Sequence, residues 1–186
     1  MKTVAAVMPS MDNANAIGRE LEGLGIPPPS IHIVAGNDRG QHDEYLEKAH
    51  RQETSTGAAA ASSASFGGGV GILAALVALA IPGVGPIIAG GAMATVITGL
   101  GIGAAAGGLL GAFSNLGISH EEARLYEEAV RRGQVFMAVQ IPEDMESRVK
   151  QLMAANGGAE IQDEAEKWRA AGWRHPYPND SSIRTS

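Results

Sequence analysis

Apolar positions follow two different periods at the two ends of this chain and run without charged interruption through its middle. TVAAVM, Thr3 to Met8, is a short β-favouring run. DNANAIGRELEGLG then sets Ala16, Ile17, Leu21 and Leu24 near helical spacing, and IHIVAG, Ile31 to Gly36, reads as a second strand. The pattern recurs far along the chain, where QVFMAVQI, Gln134 to Ile141, predicts a strand. PEDMESRVKQLMAANG opens with Pro142 and acids, places Met145, Val149, Leu152 and Met153 on one helical face and stops at Gly157. AEIQ, Ala159 to Gln162, follows as a short strand.

Two β-α-β units are the parts of a ferredoxin-like sandwich, four antiparallel strands covered by two helices. Neither unit alone buries its sheet face, so residues 1–36 and 134–163 are expected to pack as one split domain. Polar helices flank the interruption as collars. The first, residues 37–57, contains QHDEYLEKAHRQE. The second, residues 118–133, carries a capping box of Ser119 and Glu122, an apolar face of Ala123, Tyr126 and Val130, Arg131 and Arg132 in its last turn, and Gly133 as its stop. The C-terminal tail, residues 164–186, holds Trp168 and Trp173 on either side of Gly172. It is expected to dock on the domain before turning Pro-rich and polar.

The middle, residues 58–117, has a character of its own. From residue 54 to residue 120 there is no Asp, Glu, Lys or Arg. Two arms, 58–81 and 86–116, are separated by IPGVGP, in which Pro82, Gly83, Gly85 and Pro86 would break any continuous helix. The reading is a helical hairpin. Each arm reaches the ~20 residues that span a bilayer core, and two crossings would return the chain to the side it left. Within the second arm Gly91, Thr95, Gly99, Gly103, Gly107 and Gly111 stand at every fourth position, and the first arm offers Gly67 and Gly71 at the same spacing. A glycine inside a helix costs about 1 kcal/mol relative to alanine. A ladder of them on one helical face is offset only if another backbone approaches it closely, so these residues are the candidate self-assembly surface. The fold class expected is therefore α+β: a ferredoxin-like split β-α-β domain interrupted by a long glycine-rich apolar helical hairpin.

Composition narrows the function. A net charge of -6 and the lack of a basic stripe argue against nucleic acid. With no cysteine there is no disulfide framework, thiolate metal site or thiol nucleophile. The apolar run at the start is shorter than the usual ~7–15 residues of a signal peptide and is broken by Pro9 and Asp12, so it reads as a strand with a cytoplasmic start. Gly101-x-Gly103-x-x-Ala106 after Val96 and Ile97 imitates a dinucleotide-binding turn. No second strand ends at Glu121 or Glu122, and the glycine period continues past the turn, so nucleotide binding is not expected. His42 and His50 flank Glu47 on a charged helix at a spacing that fits a solvated face better than a chelate, and His32 in its strand reads as a sheet-surface residue. No catalytic residue, metal ligand or cofactor site is assigned.

The segment ALAIPGVGPIIAGGAMATVITGLGIGAAAGGLLGAFSNLGISHEEARLYEEAVRRGQVFMAV, Ala78 to Val139, resembles the core of bacterial low-temperature-induced and general stress proteins. The order of parts is similar too: a β-α-β start, a glycine-rich apolar hairpin, a GI-x-x-E-E-A-x-x-Y helix and a β-α-β end. The resemblance covers nearly the whole chain up to its tail and implies a stress-associated, non-enzymatic protein with no catalytic residues to carry over. Together these readings give a protein that self-assembles through its glycine-zipper hairpin on the cytoplasmic side of the inner membrane. The alternative is a cytoplasmic homo-oligomer, a ring, tube or filament whose hairpins bury each other and serve as a scaffold or apolar-ligand carrier. The expected partners are further copies of itself and membrane lipid.

Overall fold

A computed structural model describes residues 1–48, 76–81, 85–91 and 109–174. The first flank forms strand β1 (Lys2–Met8), helix α1 (Met11–Gly23) and strand β2 (Ile31–Gly36). Strands β3 (Val77–Ile81) and β4 (Gly85–Gly91) follow, then helix α2 (His120–Arg131), strand β5 (Val135–Ile141), helix α3 (Glu146–Ala155) and helix α4 (Ile161–Ala170). Residues 43–48 and 109–114 are also helical. The molecule is α+β, built on a five-stranded sheet in the order β1-β5-β2-β4-β3 in which every neighbouring pair is antiparallel. β1 and β2 lie on either side of β5, so the two flanks of the chain share one sheet.

Both faces of that sheet are covered. Alternation sends Val4, Ala6, Met8, Ile31, Ile33, Ala35, Met137 and Val139 to one face, where they meet Met11, Ala14, Ile17 and Leu21 of α1 and Val149 and Met153 of α3. The opposite face presents Val7, Val34, Ile87, Ala89, Phe136 and Ala138 to Phe113, to Tyr126 and Val130 of α2, and to Ile161, Ala165 and Trp168 of α4. Phe136 anchors this second core, with its ring centroid 4.4 Å from Phe113 and 4.8 Å from Tyr126. The continuous apolar runs of β2 and β5 are explained by this burial on two sides, since a strand with one wet face would alternate. Two helices on one face were expected from the sequence; the third layer comes from α2, α4 and the helical residues 109–114.

Two expected elements are corrected. AEIQ is not a strand. Only Ala159 bridges to the sheet, exchanging both backbone hydrogen bonds with Val7, and helix α4 begins at Ile161. The helical period of Ile161, Ala165 and Trp168 outweighs the short β-favouring run, because it buries a tryptophan against the second core. The second correction concerns the apolar middle. Residues 77–81 and 85–91 are the strands of a β-hairpin, not the inner ends of two helices, and β4 lies against β2 from Gly36↔Ile87 to His32↔Gly91. The expected chain break at IPGVGP does coincide with the connection between β3 and β4. Short apolar runs carry no period that separates strand from helix; here the open edge of β2 decides, since its unpaired backbone groups need a partner.

Candidate functional site

The candidate site is the place where the apolar middle is joined to the sheet, because that junction positions the segment the sequence singles out. Gly85 and Pro86 begin β4, while Pro82 and Gly83 lie outside the described residues. Gly85 has a φ of +102°, a conformation that favours glycine, and an Asp38 carboxylate oxygen lies 2.5 Å from where a side chain there would begin. The loop after β2 is built around Asn37. Its backbone N–H donates to the Pro86 carbonyl at 2.8 Å, its side-chain oxygen accepts from the His42 N–H at 2.9 Å, and its amide donates to Asp43 at 2.8 Å. Gln41 donates to the Gly36 carbonyl at 2.7 Å. The expected collar over residues 37–57 therefore starts as a hydrogen-bonded loop, and helix begins only at residue 43.

Tyr45 fastens that helical stretch to the domain. Its ring is buried, and its hydroxyl donates to Asp12 in the first turn of α1. Burial and the Asp12 carboxylate push the phenol up to about 12. His42 lies beside Tyr45 with its Nε2 buried and unpartnered, and burial lowers its pKa against the opposing pull of Asp12, Asp43 and Glu44. His50 lies outside the described residues, and no group of three potential metal ligands occurs among the described ones.

His32 departs most from its sequence reading. It is 2% exposed, not a sheet-surface residue, and neither ring nitrogen has a hydrogen-bond partner. Its strand partners are Ala138 on β5 and Gly91 on β4, which offer no polar side chain. Burial lowers its pKa to about 4, so the ring is neutral at pH 7. The signal was present in IHIVAG, because a strand without alternation is buried on both faces and takes its histidine inside with it.

The glycine ladder is placed only at its ends. Gly67, Gly71, Thr95, Gly99, Gly103 and Gly107 lie outside the described residues. Gly91 belongs to β4 and pairs with His32, so a helical ladder cannot begin there. Gly111 is helical and exposed, and nothing within 4 Å would meet a side chain added to it. On the far side, α2 has its full capping box. The Ser119 hydroxyl accepts from the Glu122 N–H, and the Glu122 carboxylate accepts from the Ser119 N–H. The two tryptophans dock on the end of α2, where the Arg132 guanidinium lies 4.8 Å from the Trp168 ring and 5.7 Å from Trp173 while its Nε donates to Glu128 at 2.8 Å. Neither the Tyr45–Asp12 tie nor this stack is legible in the sequence, since each joins residues from distant segments.

No helix of the described residues is long and apolar enough to cross a membrane. Compared with protein-family models, with curated proteins and with solved structures, the chain matches none.

Proposed function

We propose that this chain is a non-enzymatic, self-assembling protein of the bacterial stress-associated kind that its residues resemble. Its framework is a ferredoxin-like split β-α-β domain in which the expected fourth strand is reduced to the Ala159 bridge beside β1. Its working part is the charge-free segment, which associates with the same segment of further copies and acts as a scaffold.

The observation that carries this reading is how the charge-free segment is tied to the domain. It is tied to the sheet at β3 and β4 in its centre, and Leu109, Ala112 and Phe113 towards its end pack in the second core. A stretch that leaves one side of a bilayer and returns to it needs two crossings, roughly 40 residues at ~20 each. Neither 49–75 nor 92–108 is that long, which favours mutual burial between copies over a transmembrane hairpin.

Fractionation of the untagged protein from its native cell, with an alkaline wash of the membrane pellet and then a particle mass, tests the proposal. Release as a uniform particle of many copies is expected, with a smaller or broader mass for Gly103→Leu and Gly107→Leu and a milder change for Leu100→Ala. Retention in the washed pellet would overturn mutual burial in favour of a bilayer. A monomeric wild type would overturn self-assembly, and unchanged mass in both glycine variants would remove the glycine contact.

A further inference from the structure

Among the described residues the sheet ends at β3, and the direction of its backbone groups follows from one hydrogen bond. The Pro86 carbonyl accepts from Asn37, so Pro86 faces β2. In an antiparallel ladder a residue's N–H and C=O point to the same neighbour, and successive residues alternate. Ile87 therefore faces β3 and bonds to its partner Leu79, and the pairs Val77↔Ala89 and Ile81↔Gly85 do likewise. The remaining residues of the strand, Ala78 and Ala80, turn their N–H and C=O groups away from the sheet. Both are exposed, and no hydrogen bond of the described residues reaches those groups.

The geometry points to this edge as a homodimer interface in which β3 of one copy pairs antiparallel with β3 of a second. The inference rests on the self-assembly reading and names a contact within it. Centred on Leu79, the register sets Ala78 opposite Ala80 of the partner and Ala80 opposite Ala78 of the partner. Each of these two pairs exchanges both of its backbone bonds, so every outward group of the strand is satisfied by the same strand on the other copy. A two-fold axis requires self-complementarity of that kind. Methyl side chains leave the approach clear, and the strand lacks the devices that blunt edges: it has no charge, and its first proline comes after it ends.

The opposite edge is guarded. Val7 of β1 has both groups committed to Ala159, Lys2 is held by Glu146 at 2.6 Å, and Thr3 and Ala5 between them are partly buried. Addition of β3 to β1, which would propagate into a fibre, is blocked at the Val7 end of β1 by Ala159. Pairing of β3 with β3 closes after two copies, so the second copy of this chain is the occupant the edge fits.

Ala80→Pro removes an outward N–H without touching a bond to β4, and Ala78→Lys places a charge on the same edge. Sedimentation analysis of the full chain should show a twofold lower mass for either variant than for wild type, with circular dichroism and melting temperature retained. In wild type, hydrogen exchange at the Ala78 and Ala80 amides should slow at least tenfold between dilute and concentrated protein. An assembled wild type whose mass is unchanged in both variants, or whose two amides exchange at one rate at all concentrations, overturns the edge interface and leaves self-assembly standing. A wild type that is monomeric at all concentrations overturns both.

Discussion

Replacing His32 with leucine isolates the one buried polar side chain among the described core residues. In the folded chain its pKa falls from 6.5 to about 4 through burial alone. Proton binding is therefore easier in the unfolded chain, and stability is lost as pH falls below about 6.5 and continues to be lost until about 4. The whole shift corresponds to roughly 3 kcal/mol, of which about 2 kcal/mol has gone by pH 5. At neutral pH the two unpartnered nitrogens still carry a desolvation penalty of about 1–3 kcal/mol, which a leucine of similar size would not. His32→Leu is thus expected to be at least as stable as wild type at pH 7.5, and its advantage should widen by about 2 kcal/mol at pH 5. Urea unfolding of both proteins at fixed protein concentration, in steps from pH 7.5 to 4.5, measures the difference directly. His42, whose pKa burial also lowers, is common to both proteins and cancels. Parallel curves with a constant offset would refute the reasoning, because they would mean that His32 titrates alike in the folded and unfolded chains.

Two glycines should respond in opposite directions. At Gly36 an added side chain would begin 2.6 Å from the Val130 carbonyl oxygen, a backbone atom that cannot step aside, and Gly36→Ala should destabilise by about 1–3 kcal/mol. At Gly111 the space is open, and Gly111→Ala should stabilise by up to about 1 kcal/mol through helix propensity alone; thermal melts giving the reverse order would contradict both placements. Ser119→Ala removes the side-chain half of the α2 capping box and should lower stability by about 1 kcal/mol, read as a shift in the urea midpoint with an unchanged slope.

How much of the fold was legible depended on whether a segment's pattern fixed its own environment. α2 announced itself by its capping box and both α1 and α2 by apolar residues at helical spacing, and β1, β2 and β5 by β-favouring runs between turn signals. The Gly133 and Gly157 stops have φ of +85° and +83°, the conformation that favours glycine there. Segment 77–91 was misjudged because VALAI and IIAG suit a buried helix and a buried strand equally. The candidate interface was less legible still: nothing in the composition of Ala78 or Ala80 marks them, and their importance comes from the direction their backbone groups take once β4 has paired.

By itself, the sequence determined the mixed α+β character, the joining of two distant flanks around a charge-free middle, and the break at IPGVGP. These follow from local propensities and from the need of each β-α-β unit to cover its sheet. Only the tertiary structure decided that the middle supplies two strands to that sheet, that helices cover both its faces, and that His32 lies in the core. Each of those outcomes depends on which neighbour satisfies a strand's hydrogen bonds and which face is closed to water, and both are settled by contacts between segments far apart in the chain.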